Sequence, residues 1–288
     1  MTTMTLGGSE AAAACGLDRY KSKIQLWLEK TGQLERESAG SDAAKWGNLL
    51  EPVIAGQLVT EGFDIRYLGT TELVTDGFRS CHPDGMVGDN GVLEIKTIGA
   101  RGALSWSPDD LPVGFVIQAV HNMALTGKDF CLVACLIAGQ RLEVSTIERD
   151  HDLEARVMQL EDEFWLHVTE NTPPEPDGSK ATDEMLKKMY PGAYGVVNLT
   201  SEDLDLVKEL KLLKDASAAA DKQIAEREQR LKMLLGDATL GLFEGDAVVR
   251  WPVVEAKKLD TKRIKDEYPE IAAECTRTSS YRRFVVTP

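Results

Sequence analysis

The phrase Pro83-Asp84-Gly85, followed by Val92-Leu93-Glu94-Ile95-Lys96-Thr97, constrains this chain more than any other part of it. Residues 93–96 alternate apolar and polar side chains, and 92–97 read as a strand. Successive strand side chains point to opposite faces, so Glu94 and Lys96 share one face and Leu93, Ile95 and Thr97 the other. A carboxylate and an ammonium in an apolar setting are costly to bury unless each is paired. Two readings stay open at this point. One is an ion pair on a solvated sheet face. The other is a divalent cation over Asp84, Glu94 and the Ile95 carbonyl, hard oxygen donors of the kind that suit Mg²⁺. In that case Lys96 would hold or deprotonate a water, or neutralise charge developing on a phosphate.

The surrounding pattern is mixed. Small-residue and amphipathic segments in 5–32 read as two helices separated by the turn 17–22. Residues 42–61 read as a helix with Trp46, Leu49, Leu50, Val53 and Gln57 on its stripe and Pro52 as a kink or restart. Strands are expected at 63–68, 72–75, 78–81 and 92–97, with Asp89-Asn90-Gly91 as turn chemistry. Pro112 suits the first position of a helix running to Gly127. Residues 130–138 and 141–147 form a hairpin about Gly139-Gln140, with Gly first as a II′ turn requires. A helix over 152–170 and a Pro-rich loop at 171–179 complete an α/β or α+β core. The division is therefore 1–179 for the core and 180–288 for a C-terminal extension.

In the extension, Leu206, Leu210, Leu213, Ser217, Ala220 and Ile224 recur at alternating spacings of four and three, and Leu231 and Leu234 resume the pattern after Arg227. This is a coiled-coil-like seam with a small, polar centre, or the inward face of a helix folded onto its own domain. A hairpin, a helix and a basic tail are expected over 239–288.

Hydrophobic residues make up 43% of the 288 and charged residues 28%, enough for a sizeable core. No run of eighteen apolar residues exists, so no spanning helix and no membrane partner are expected. The absence of an apolar leader and the five scattered cysteines point to a reduced, cytoplasmic setting. Net charge is −14; residues 201–288 hold 16 Lys/Arg and 17 Asp/Glu, which leaves −13 on the first 200. That balance weighs against nucleic acid as a partner.

Other candidate residues border the central strand. In the 112–127 helix, Val116, Val120, Met123 and Ala124 define an apolar face, with Gln118, His121 and Asn122 opposite. Gln118 is placed to orient a water or the Lys96 amine. His121 reads first as a half-exposed helix residue and second as a catalytic group; His82, just before Pro83, joins it as a site residue without an assigned role. Glu51, at the margin of its stripe, is either a third metal carboxylate or a rim residue. Gly7-Gly8-Ser9-Glu10 reads as a helix start with Ser9 as cap, whose amides would suit a phosphate.

In this order, Gly7-Gly-Ser-Glu-Ala-Ala-Ala with Tyr20-Lys-Ser and Leu26-Trp-Leu-Glu-Lys-Thr-Gly, then Trp46-Gly-Asn-Leu-Leu-Glu-Pro, Cys81-His-Pro-Asp-Gly with Leu93-Glu-Ile-Lys-Thr, Gln118-Ala-Val-His-Asn-Met-Ala-Leu-Thr-Gly, and Ile147-Glu-Arg-Asp resemble the YqaJ-type viral recombinase family. That family includes lambda exonuclease and is a branch of the PD-(D/E)xK nucleases. The resemblance covers about 1–179. It implies a restriction-endonuclease-like core with a mixed sheet flanked by helices. The implied activity is Mg²⁺-dependent degradation of one strand of linear double-stranded DNA from the 5′ end, leaving 3′ tails for recombination. Glu51, Asp84, Glu94 and Ile95 would be metal ligands for two Mg²⁺, with Mn²⁺ as substitute. Lys96 and Gln118 would serve the nucleophilic water, and Ser9 the terminal phosphate. A ring-shaped trimer, a single-strand annealing protein as partner, and a phage or prophage gene in a bacterial host are implied as well. Some relatives place an arginine before the Gly-Ser element; this chain has none in Met1–Leu6, and Arg19, Lys21 or Lys23 would substitute. The alternatives are a structure-specific or CRISPR-associated nuclease of the same fold, and a non-catalytic DNA-end-binding module. Cys131 and Cys135, in an apolar strand, read as core fillers and not as cluster ligands.

Overall fold

A computed structural model describes residues 4–35, 42–69, 71–100, 106–107 and 110–286. They divide into two compact units, Met1–Tyr190 and Pro191–Pro288.

The first unit runs β1 (Leu6–Gly7), α1 (Gly8–Ala14), α2 (Lys23–Lys30), α3 (Asp42–Thr60), β2 (Ile65–Tyr67), β3 (Val74–Asp76), β4 (Arg79–Cys81), β5 (Gly85–Val87), β6 (Gly91–Ile98), α4 (Val113–Thr126), β7 (Phe130–Ile137), β8 (Arg141–Glu148), α5 (His151–Glu170) and α6 (Lys180–Met189). Its main sheet has the order β2-β5-β6-β7-β8. Only β6 and β7 pair in parallel; β2–β5, β5–β6 and β7–β8 are antiparallel. The parallel pair follows from the long connection through α4, which carries the chain back to start β7 beside β6. A small second sheet has the order β1-β4-β3. The fold is thus mixed α/β, as the pattern of the sequence leads one to expect.

The alternation along β6 sorts its residues between two cores. Leu93 and Ile95 pack with Leu132 and Ala134 against Ile54, Ala55 and Leu58 of α3. On the other face Val92, Cys131, Val133 and Cys135 pack against Val120 and Met123 of α4 and Ala11 and Ala12 of α1. Helix α4 begins after Pro112, which is its N-cap and not its first helical residue, and ends at Gly127 with φ 66°. A left-handed residue at that position favours glycine.

The structure corrects several expectations. The buried face of α3 is Ile54, Ala55 and Leu58, while Trp46, Leu49 and Val53 are 61%, 54% and 63% exposed. The β7–β8 turn has positive φ at Ala138 and Gly139, with the Gln140 N–H donating to the Ile137 carbonyl at 3.0 Å. Positive φ at both central residues is the I′ arrangement, one residue earlier than the II′ turn expected at Gly139-Gln140. The first compact unit continues to Tyr190 and not to 179, because α6 returns to the core: Met185 is buried with Ile24, Leu26, Trp27 and Phe164.

The second unit runs α7 (Ser201–Leu235), β9 (Leu240–Phe243), β10 (Asp246–Arg250), α8 (Thr261–Glu267) and α9 (Pro269–Glu274). Thr200 and Asp203 cap the start of α7 reciprocally, and none of its 35 residues is buried. One helix was expected after the hairpin; there are two, divided at Tyr268-Pro269. Pro269 has no N–H to continue α8 but is suited to open α9. Among the described residues, no helix is long and apolar enough to cross a membrane.

Candidate active site

The site begins where β5 parts from β6. The last paired residues are Gly85 and Leu93. A side chain at Gly85 would meet the Arg66 carbonyl at 2.9 Å and Leu93 at 3.1 Å, so the strands close there only over glycine. One residue earlier, the Asp84 carboxylate replaces the missing strand: its Oδ2 accepts from the Ile95 N–H at 2.6 Å, and its backbone carbonyl accepts from the Leu68 N–H at 2.9 Å. A strand residue presents its N–H and C=O on the same side. The Ile95 carbonyl therefore faces the gap that Asp84 occupies.

On the α4 face of β6, Lys96 Nζ donates to Glu94 Oε1 at 2.6 Å and to Gln118 Oε1 at 2.9 Å. Gln118 Nε2 donates to the same Glu94 oxygen at 2.6 Å, and Asn122 Nδ2 donates to Glu94 Oε2 at 3.0 Å. Glu94 is thus buried with three donors. Asn122, one helical turn beyond Gln118, comes from the same face of α4. It lies so close to α1 that a Cβ on Gly8 would stand 2.5 Å from its Oδ1, a buried atom that finds no donor. The Lys96 ammonium also sits 5.4 Å over the Phe115 ring.

Burial, then the charge of Glu94, push the Asp84 carboxyl up to about 8, with Glu51 adding to the effect. Burial alone would lower the Lys96 ammonium, but the charge of Glu94 and its hydrogen bond hold it above the ordinary lysine value. Lys96 is a hydrogen-bond donor to Glu94 and Gln118 in this arrangement. Burial and the charge of Glu94 also raise Glu51.

The remaining expected residues are placed unevenly. Ser9, Arg19, Lys96 and Gln118 line one cavity of about 590 Å³ together with Tyr20 and Phe115. Ser9 is the second residue of α1, not its cap; Gly7 is the cap, and its N–H donates to Glu10 Oε2 at 3.0 Å. Lys21 is bound to Glu29 at 2.6 Å and is not a free cation. Lys23 turns toward Gly16, where its Cε would touch an added Cβ at 3.4 Å, and lines neither cavity of the site. Met1–Thr3, part of the stretch without arginine, lie outside the described residues.

His82 is exposed, with Nδ1 3.1 Å from the Glu72 carbonyl, at the edge of a smaller cavity shared with Gly8, Ser9, Gln118 and Asn122. His121 is fully buried, not half-exposed, because α5 covers that side of α4. Its Nδ1 is 2.8 Å from Glu161 and its Nε2 3.0 Å from the Ser80 carbonyl. Glu161 in turn holds Arg79 at 2.7 Å. Both ring nitrogens being engaged, His121 braces β4 against α4 and α5 and has no nitrogen left for a substrate. Sequence reasoning missed this network and the role of Asn122; the one available signal was the i, i+4 spacing of Gln118 and Asn122 on one face.

The donor set fits a hard divalent cation in part. Asp84, Glu94 and the Ile95 carbonyl are oxygen donors, and the raised Asp84 marks crowded negative charge that a cation would relieve. Among the described residues, however, no three His, Cys, Asp or Glu side chains converge to hold an ion. Glu51 accepts a long hydrogen bond from the Tyr67 hydroxyl at 3.5 Å and lies near enough for the charge of Glu94 to act on it and for its own charge to act on Asp84. Two carboxylates with water filling the remaining positions suit Mg²⁺ better than a full protein cage.

Residues 1–129 match the YqaJ-like viral recombinase domain. Over 287 residues the chain is 30% identical to the uncharacterized protein YqaJ of Bacillus subtilis (strain 168), covering 97% of this chain and 90% of that one. The chain belongs to the YqaJ-like viral recombinase family. Among solved structures it is similar to the alkaline exonuclease LHK-Exo of Laribacter hongkongensis, at 19% identity and TM-score 0.48 over 64% of this chain and 94% of that chain. A phage-related exonuclease of Haemophilus somnus 129PT is similar at 16% identity and TM-score 0.48, over 65% and 97% of the two chains.

Proposed function

We propose that the chain is a divalent-cation-dependent exodeoxyribonuclease that degrades one strand of linear duplex DNA from the 5′ end and leaves a 3′ tail for recombination. The observation that carries this reading is the Lys96 ammonium held 2.6 Å from Glu94, beside the Asp84 carboxylate and on the wall of a cavity large enough for a nucleotide. Membership of a viral recombinase family supports it.

Mg²⁺, or Mn²⁺ in its place, would lie on Asp84, Glu94 and the Ile95 carbonyl and supply Lewis-acid polarisation of a phosphoryl oxygen. The chain's own groups do the rest. Lys96 places positive charge where a phosphate in attack becomes more negative, and a fixed charge there needs no reorganisation. Gln118 holds the Lys96 amine through its carbonyl and Glu94 through its amide, and it can hand one of these bonds to a water. Arg19 and Ser9 offer donors to a phosphate, and Tyr20 and Phe115 offer faces on which a base can stack. A second ion, a trimeric ring and a single-strand annealing partner belong to the same proposal. A ring would need few phosphate contacts, which makes the acidic surface tolerable.

Linear duplexes labelled separately at each 5′ and 3′ end, incubated with Mg²⁺ beside a covalently closed circle, test this directly. Progressive release from 5′ ends with the circle intact is expected. Cleavage of the circle at an equal rate, or no hydrolysis with either Mg²⁺ or Mn²⁺, would overturn it.

A further inference from the structure

We propose that α7 packs antiparallel against α7 of a second copy of this chain, about a two-fold axis level with Ala218 and Ala219. The helix has 35 residues and a length of roughly 52 Å. Its seam is open: Leu206, Leu213, Ile224 and Leu231 are 66%, 69%, 55% and 43% exposed. Amphipathic helices draw most of their stability from packing of the apolar face, so a seam of this length calls for a partner.

Charge in the seam and along its flanks chooses both the partner and its direction. In a parallel pair every seam residue meets its own copy. Arg227 then meets Arg227 inside the seam, where like charges oppose. Only Glu209 finds an opposite charge, Lys214. In the antiparallel pair Leu206 meets Leu231, Leu213 meets Ile224, and Leu210 meets the aliphatic stem of Arg227, whose head reaches solvent. Ser217 meets Ala220 at the centre, where Ala216 and Ala218–Ala220 allow the backbones to approach.

The flanks agree. Lys214 comes opposite Asp221 and Glu209 opposite Arg230, each twice by symmetry, which makes four complementary pairs. Among the described residues Glu209, Asp221 and Arg230 make no ion pair within the chain, and Lys214 only rests 5.9 Å over the Phe284 ring. A self-complementary surface is what a two-fold interface requires. Nothing in this inference depends on the nuclease reading.

The test uses the full-length chain in sedimentation across a range of concentrations. Lys214→Glu and Asp221→Lys should each raise the dissociation constant about tenfold, since each change turns two attractions into repulsions. The double variant K214E/D221K should return it to within about threefold of the original. Leu213→Asp should abolish this association. The charge variants are at exposed positions and keep the helix, so they decide the matter even where L213D perturbs folding. A mass independent of concentration and of every variant would overturn the proposal. So would rescue of K214E by Glu209→Lys instead of by D221K, which is the signature of a parallel pair.

Discussion

The two units of this chain handle charge in opposite ways. In the first, beside surface pairs such as Arg66 with Glu72, a set of charged groups is taken into the interior and tied together. Arg79 bonds Glu161 and Asp162, Glu161 bonds His121, and Lys96 bonds a buried Glu94. In the second, the ion pairs lie on the surface: Lys208 with Asp205, Lys232 with Glu228, and Arg263 with Glu267. A buried pair is expensive to break because the surviving charge stays behind without water. A surface pair is solvated before and after, and contributes little. The buried charges of the first unit are therefore committed to a geometry, and the exposed ones of the second remain available to choose a partner.

The sharpest way to break this comparison is at Lys96. If the proposed function holds, Lys96→Ala should reduce hydrolysis by on the order of a thousandfold while DNA binding is retained, because the ammonium would act on the reacting phosphate and not on the duplex. Single-turnover rates and a binding isotherm measured together would check this; loss of affinity with unchanged turnover would contradict it. Next in size, Arg79→Leu leaves Glu161 short of its cation. It should cost about 3–5 kcal/mol in denaturant unfolding.

Asp84 gives a smaller effect with a definite sign. Its carboxyl titrates near 8 in the folded chain against 3.8 for the ordinary value. The unfolded chain thus releases this proton first, and stability falls as pH rises through that window in metal-free protein, by on the order of a few kcal/mol. Asp84→Asn should flatten the decline, and added Mg²⁺ should offset it if the cation binds there. An unchanged slope in the Asn variant would place the effect elsewhere. Smallest of all, Lys232→Ala in the second unit should change stability by less than about 0.5 kcal/mol. A larger loss at protein concentrations where α7 is unpaired would mean that the contrast between the units is overstated.

Much of the site could be read along the chain. Alternation placed Glu94 and Lys96 on one face of β6, Pro83 and Gly85 marked the turn that carries Asp84, and helical spacing set Gln118 beside Asn122. These are consequences of backbone geometry over a few residues, and such geometry is local. Glu51 shows the limit: its place on the margin of α3 was legible, but its hydrogen bond from Tyr67 was not.

What only the tertiary structure decided is which surfaces become covered. Trp46, Leu49 and Val53 make as good an apolar stripe as Ile54, Ala55 and Leu58, yet β6 and β7 cover the second and not the first. His121, half-exposed on the reading of α4 alone, is covered by α5, and Asn122 is buried against α1, each among groups that bond it. Period and turn chemistry are written in neighbouring residues, whereas burial depends on segments that meet across 40 or 80 positions, as Glu161 does with His121 and Arg79.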